Sequence, residues 1–316
     1  MVTNGSRSII GCAAAALGTG TVTATNSTSA CSNKYSCVVQ KHSYSFYRYL
    51  HSGLSETNIT SDPTKIPYSE ESNEIYDLIC VGFGPASLAI AIALHDRGLD
   101  LSTKVLYLEK QSSFSWHAGM MLPGARMQIS FIKDLATLRD PRSHFTFLNY
   151  LHMNNRLIHF INLSTFLPLR EEYNDYLAWC AGHFSDKVQY NEKVTSVNPF
   201  HHSNKDVVSM FEVQSINIDG ENQTRIARNV VVAVGGSPSI PPAFLGDDSR
   251  VIHSSAYTSV VSSVLVDREA PYKVAVVGAG QSAAEIYTDL HSRYPNSHTQ
   301  LIIRENALKP SDDSPL

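Results

Sequence analysis

From residue 75 onward the chain alternates short apolar runs with longer stretches in which apolar positions return every three or four residues. Ile75 to Val81 (IYDLICV) is rich in apolar and β-branched residues and predicts a strand. Gly82-Phe83-Gly84-Pro85 then turns the chain into a helical stretch, Ala86 to Asp96, which Gly98 closes. Val105 to Leu108 (VLYL) predicts the next strand, so the unit reads strand, helix, strand. Within Glu171 to Phe184, the residues Tyr173, Leu177, Cys180 and Phe184 share one face of an amphipathic helix. Phe211 to Ile218 and Thr224 to Val234 flank Asp219-Gly220 and predict antiparallel strands. The first order then returns as strand Tyr272 to Val277, a glycine turn, helix Ser282 to Arg293 and strand Thr299 to Ile303. Two such units, about 200 residues apart, imply two nucleotide-binding modules in an α/β fold.

Residues 1–72 break this pattern. They are rich in Ser, Thr, Ala and Asn, their first acidic residue is Glu56, and they predict an extension without a packed core. Ile9 to Leu17 after Arg7 has the form of a short signal-peptide core, and the acid-poor, Ser-rich composition also suits an organellar presequence. A disordered extension or a misassigned start is the favoured reading, with a cytoplasmic location, because the cofactors inferred below are intracellular ones. The expected division is therefore 1–72 extension, 73–242 first module with a substrate-binding segment, and 243–316 the start of a second module.

Composition narrows the classes. The 316 residues are 43% hydrophobic and 17% charged, as in soluble globular chains, and a net charge of -4 offers no basic excess for gripping nucleic acid. No apolar run reaches the roughly 18 residues a membrane span needs. Cys12, Cys31, Cys37, Cys80 and Cys180 form no CxxC pair, so neither a disulfide framework nor a zinc site is implied. Cys80 and Cys180 read as small buried hydrophobes.

At the first glycine turn, Gly82 permits the tight bend, Gly84 lets backbone approach a pyrophosphate, and Pro85 opens the helix whose N-terminal dipole would face it. Ser87 stands where the fingerprint prefers Gly or Ala. A plain structural turn would explain GxG alone; the strand before and the helix after it favour a nucleotide. Glu109, followed by Lys110, ends the second strand where ribose hydroxyls need an acceptor, its bland alternative being a surface carboxylate. The second turn, Gly278-Ala279-Gly280-Gln281-Ser282-Ala283, fits GxGxxA, and Arg304 follows its second strand in place of an acid. An arginine there pairs with a 2′-phosphate, although a solvated charge is the bland alternative. The first site thus suits FAD and the second NADPH. Val230 to Pro242 (VVVAVGGSPSIPP) is similar to the strand and glycine that lead from an FAD domain into an inserted NADPH domain.

Flavoproteins with two such modules divide mainly into disulfide reductases and monooxygenases. The reductases need a cysteine pair beside the flavin, and no CxxC pair is present. Trp116-His117, Met127 to Tyr150 (MQISFIKDLATLRDPRSHFTFLNY), GFGPASL, PLREEYNDYLAW, GAGQSAAE and DDSPL together closely resemble the lysine/ornithine N-hydroxylase family of flavin monooxygenases. Within it they resemble the L-ornithine N(5)-monooxygenases of siderophore synthesis, over about Tyr76 to Leu316. Phe244, Gly246, His253 and Tyr257 faintly match a Baeyer-Villiger marker, but the Gly246 to His253 gap is too long.

The resemblance implies that NADPH reduces FAD, O₂ reacts with the reduced flavin, and the uncharged terminal amine of L-ornithine receives an oxygen atom. It implies that Glu109 to His117, with Lys110 and Trp116, line FAD, that Gln128 reaches the isoalloxazine, and that Val194 touches the adenine side through its backbone. Lys133 would bind the amino-acid carboxylate. Gly278, Ala279, Gly280, Gln281, Ser282 and Arg304 would hold NADPH, with Gln281 keeping the oxidised nucleotide near the flavin. A homotetramer is implied as well. His117, Met127 and Arg170 stay open: Met127 suits the core as well as a cofactor contact, and Arg170 could order a loop through Glu171 or Glu172.

Only 38 residues follow Gly278, whereas half of a doubly wound domain takes on the order of 80. The expectation is an incomplete second module, from a fragment, a truncated gene model or a natural truncation, that binds flavin weakly and does not turn over alone. A binding remnant and a lysine N(6)-hydroxylase are the alternatives carried forward. If Arg304 reads the 2′-phosphate, then in a complete enzyme Arg304→Ala should raise the Michaelis constant for NADPH roughly tenfold and leave NADH unchanged, since a charge-assisted contact is worth about 1.5–3 kcal/mol. Equal losses with both nucleotides in steady-state kinetics would refute this.

Overall fold

The computed structural model describes residues 74–201, 208–244, 246, 248–304 and 306–308. The N-terminal extension, Cys12, Cys31, Cys37 and the DDSPL motif lie outside the described residues. β1 (Ile75–Val81) passes through the glycine turn into α1 (Pro85–His95), and β2 (Val105–Leu108) returns parallel to β1, with Leu78 opposite Val105 and Val81 opposite Leu108. β1 is apolar on both faces because both are covered. Leu78 and Cys80 face the cluster shared with Leu88 and Ile92 of α1, while Ile79 faces Leu106, Leu108, Val213 and Ala227. Each fully buried side chain of this size stabilises by about 1.5–3 kcal/mol.

The chain then forms α2 (Phe147–Met153), α3 (Leu157–Asn162), α4 (Arg170–Gly182), β3 (Val188–Gln189), β4 (Lys193–His201), β5 (Val208–Ile216) and β6 (Asn222–Val232). The sheet order is β3-β2-β1-β6-β5-β4, parallel from β3 to β6 and antiparallel across β6-β5-β4. Tyr173, Leu177, Cys180 and Phe184 are buried together, as their spacing predicts. The expected hairpin forms around Asp219-Gly220, with Phe211 opposite Ala227. Its partner β4 was not anticipated, because Pro199 interrupts the strand pattern; β4 is a sheet edge, where a missing N–H is tolerated. α2 and α3 were also missed: they span seven and six residues, too few for a helical period to stand out.

After β6 come α5 (Tyr257–Val264), β7 (Lys273–Val277), α6 (Gln281–Arg293) and β8 (His298–Ile302), with β7 and β8 paired in parallel. Val276, Ala283, Ile286 and Leu290 pack with Tyr257 and Val261, and also with Met120 and Leu122 from the stretch after β2. Among the described residues no helix is long and apolar enough to cross a membrane.

β1 and β6 approach closely where the first turn begins. Gly82 has φ 92°, and a Cβ there would lie 2.5 Å from the carbonyl oxygen of Ala233. Gly124 has φ 74° but faces open space. Gly82→Ala is therefore expected to cost on the order of 3 kcal/mol, adding steric overlap to backbone strain, and Gly124→Ala about 1 kcal/mol for strain alone. Urea unfolding followed by circular dichroism measures both; equal losses would show that the Ala233 contact relaxes freely.

Candidate functional site

The first turn is organised from below by one carboxylate. Glu109, 6% exposed at the end of β2, accepts from the Phe83 N–H at 2.8 Å through Oε2 and from the Gln111 N–H at 2.9 Å through Oε1. It is a buried acceptor joining the glycine turn to the β2 end, which removes the surface-carboxylate reading. Ser87 is fully buried and its hydroxyl donates to the Gly82 carbonyl at 2.7 Å, so the departure from the fingerprint is a lock on the bend. Gly84 is the N-cap of α1 with no side chain capping it, Pro85 occupies the first turn, and a Cβ on Gly84 would meet no atom within 4 Å. An uncapped helix end beside open space suits an anionic group. Burial pushes the Cys80 thiol up to about 12, so it stays protonated and inert.

The stretch from Lys110 to Lys133 frames this turn. Lys110 is exposed; Trp116 packs against the core, its backbone N–H donating to Asn174 Oδ1 at 3.3 Å and its ring 5.0 Å from that of His117. His117 has φ 49° and reaches solvent at its surface, yet the protein around the ring, and after it the Arg170 charge, hold its imidazole below the usual range. Met127 is 4% exposed within the main core, while Gln128 is exposed. Val194 is half-buried in β4 opposite Ser215, beside a bulge.

Lys133 ends a short 3-10 turn, Phe131–Lys133, with its side chain exposed. Its neighbour Asp134 does the structural work. Asp134 Oδ1 accepts from the N–H groups of Ala136 at 2.9 Å and Thr137 at 2.6 Å, and Oδ2 accepts from Thr137 Oγ1 and the Phe147 N–H, both at 2.7 Å. Further along, Asp96 at the end of α1 takes Arg139 at 2.7 Å and Ser143 at 3.0 Å. The KDLATLRDP motif is thus folded onto two carboxylates, with Phe131 stacked on Phe166 at 5.8 Å and edge-on to Phe160 at 5.4 Å. Sequence reading passed over Asp134, although an Asp two and three residues before its N–H partners is an Asx-turn signal.

The second turn repeats the first. Gly278, φ 144°, donates to the Ile302 carbonyl at 2.9 Å, as Gly82 does to Leu108 at 2.8 Å. Gly280 is the N-cap of α6 with no side-chain cap, Ala279, Gln281 and Ser282 are half-buried around it, and Ala283 is buried at the strand contact. Arg304 lies exposed just beyond β8, which ends at Ile302.

Arg170 corrects an expectation. Its guanidinium grips neither Glu171 nor Glu172, the latter being paired with Arg156 at 2.8 Å. It forks onto Glu285 of α6, at 2.7 and 2.8 Å, and donates to the Met120 carbonyl at 3.3 Å. Glu285 also accepts from Gln281 Nε2 at 2.9 Å. Glu285, 115 residues from its partner, carries no sequence signal for this role.

The two glycine turns, each opening an uncapped helix after a parallel strand, define a two-dinucleotide-binding flavoprotein fold, and the residues present at each turn fit the pyrophosphate of a dinucleotide. Residues 74–316 match the family model for L-lysine 6-monooxygenase/L-ornithine 5-monooxygenase, and the chain belongs to that family. It is 58% identical over 249 residues to an L-ornithine N(5)-monooxygenase of Beauveria bassiana, covering 76% of this chain and 46% of the relative. Among solved structures, an ornithine hydroxylase from Pseudomonas aeruginosa superposes with a TM-score of 0.70 at 44% identity, covering 77% of this chain and 58% of that one. An ornithine N-hydroxylase of Kutzneria sp. 744, described with reduced FAD, NADP⁺ and L-ornithine, gives 0.67 at 36% identity, covering 74% and 54%. The chain spans about half the length of the curated relatives it matches.

Arg170 and Glu285 are 13% and 14% exposed. Arg170→Met alone should cost about 3–5 kcal/mol by stranding a carboxylate, and Arg170→Met with Glu285→Met together less than the sum of the single losses. A urea double-mutant cycle reads the coupling; strict additivity would mean that the pair stabilises nothing.

Proposed function

We propose that this chain carries the FAD-binding part, residues 73–242, and the opening of the NADPH module, residues 243–316, of an L-ornithine N(5)-monooxygenase acting in siderophore synthesis. The observation behind this reading is the pair of uncapped helix N-termini on one chain, with buried Glu109 beneath the first, in a family whose relative at 58% identity is an ornithine enzyme. The overall change is R–NH₂ + O₂ + NADPH + H⁺ to R–NHOH + H₂O + NADP⁺. Bound flavin would supply hydride acceptance and oxygen activation.

The chain's own residues bind and orient. Gly84 and the α1 N-terminus receive the flavin pyrophosphate, Glu109 the adenosine ribose, and Val194 the adenine edge through its backbone. Lys110, Trp116, His117, Met127 and Gln128 lie along the flavin side, with the His117 imidazole held below its usual range by burial and by the Arg170 charge. Gly278, Ala279, Gly280, Gln281 and Ser282 receive the NADPH pyrophosphate, and Arg304 the 2′-phosphate. Arg170, through Glu285, fixes the carboxamide of Gln281. Exposed Lys133, steadied by Asp134, pairs with the ornithine carboxylate, leaving the terminal amine for the flavin. The cytoplasm holds both nucleotides, and the complete protein assembles as a tetramer.

A chimera in which residues 74–316 replace the matching segment of the Beauveria bassiana relative tests the reading. It should bind FAD and oxidise NADPH with L-ornithine dependence, giving N(5)-hydroxyornithine by mass spectrometry; a product from lysine instead, or no flavin, would overturn it. In that chimera Lys133→Ala should raise the Michaelis constant for ornithine by tenfold or more and leave NADPH reduction of the flavin within about twofold, because the carboxylate contact is remote from hydride transfer. Unchanged ornithine affinity would make Lys133 a surface lysine.

A further inference from the structure

Glu109 does not stand alone at the end of β2. Its N–H donates to the Gln189 carbonyl at 2.9 Å, its carbonyl accepts from the Glu192 N–H at 3.0 Å, and the Gln111 carbonyl accepts from the Asn191 N–H at 2.9 Å. The loop between β3 and β4 thus laces the backbone on both sides of the Glu109 carboxylate. That loop turns sharply, with Asn191 at φ 56°, and leads directly into Lys193 and Val194.

The loop is pinned by a second buried acid. Glu192 is 5% exposed; its Oε1 accepts from the Ser215 hydroxyl at 2.5 Å and from Arg225 Nη1, and its Oε2 from Arg225 Nη2 at 3.3 Å. Arg225 Nη1 also donates to Ser215 Oγ at 3.1 Å. Ser215, 1% exposed, sits on β5 opposite Val194, and Arg225 sits on β6 opposite Val213. The cluster therefore couples two strands, β5 and β6, to the loop that precedes β4. A carboxylate so buried needs its full set of donors, and it holds its place only while the guanidinium fork is there.

We propose that Glu192, Arg225 and Ser215 are positioning residues for the adenosine half of FAD: they set the β3–β4 loop, and through it both the Glu109 carboxylate and the Val194 backbone. None of the three touches the nucleotide. This rests on the flavin site proposed above and goes beyond it by assigning a role to residues 83–116 positions distant from Glu109 in sequence. The network holds the loop that bonds Glu109 and leads into Val194, the two positions proposed above for the ribose and the adenine. Its loss should weaken FAD while sparing flavin mononucleotide, which has no adenosine.

The test is titration of the flavin-free purified chain with FAD and, separately, with flavin mononucleotide, following quenching of flavin fluorescence, with thermal unfolding measured in parallel. Arg225→Met should raise the Kd for FAD at least tenfold and change that for flavin mononucleotide less than twofold; Arg225→Lys, which keeps the charge without the fork, should recover part of the FAD affinity. If Arg225→Met does not fold, Ser215→Ala carries the test, with a threefold or greater loss expected for FAD alone. Parallel losses for both flavins, or an FAD affinity unmoved by either variant, would overturn the positioning role and leave the flavin site standing. Failure of the unsubstituted chain to bind FAD at all would overturn both.

Discussion

The close approach of β1 and β6 at Gly82 is the constraint on which the first half of the molecule depends. The Ala233 N–H donates to the Val81 carbonyl and the Gly82 N–H to the Leu108 carbonyl, each at 2.8 Å, so the chain leaves β1 clamped between its two neighbours. Only a residue without a Cβ fits beneath the Ala233 carbonyl. Once the bend is set there, the next N–H, that of Phe83, meets Glu109, and the Ser87 hydroxyl one turn into α1 meets the Gly82 carbonyl. Helix direction, open N-terminus and acidic acceptor are consequences of one backbone contact between parallel strands.

The second unit is tied to the first by interlocking rather than by a linker. A Cβ on Gly119 would lie 1.8 Å from the Ser255 carbonyl oxygen, and Thr258 Oγ1 donates to the Ala118 carbonyl at 2.7 Å. Met120 and Leu122 fill the core beneath α6. The Arg170–Glu285 fork adds a directional ionic contact to this apolar seam, and bidentate geometry fixes rotation as well as distance. The stretch that carries Trp116 and His117 is therefore the same stretch that seats α6. The second glycine turn and the Trp116–His117 stretch thus share one packed seam.

Sequence reading recovered the elements whose period was unbroken. β1 and β2 fall where the apolar runs place them, and the helices and strands of both glycine units lie within a residue or so of expectation. It failed where the signal was short or interrupted, at α2, α3, α5, the two-residue β3 and the edge strand β4. At the site, residue types with a fixed place in a motif were legible: Gly82, Gly84, Glu109, Gly278, Gly280. Their supports were not. Asp134, Glu285, Glu192 and Arg225 are polar residues in stretches that read as solvated, and three of them find partners more than 30 residues away. One-dimensional pattern records periodicity and local turns; it carries no trace of which distant charge will be buried against which.

That asymmetry has a physical origin. Pyrophosphate recognition by main-chain N–H groups depends on backbone shape, which glycine and turn chemistry write locally into the sequence. Distinguishing an amino-acid carboxylate or a ribose depends on side-chain atoms held to within about 0.5 Å, which only packing can provide. Lys133 illustrates the difference. On an exposed 3-10 turn a lysine would sample many positions, but the next residue is tethered to three N–H groups and a hydroxyl, so the root of its side chain is fixed while its tip stays free to reach a ligand. The buried acids Glu109 and Glu192 serve the opposite end in the same way, by immobilising backbone that must present atoms without moving. What the packing adds to the two glycine turns is a set of acids, Asp134, Glu192 and Glu285, that hold neighbouring backbone and side chains in place.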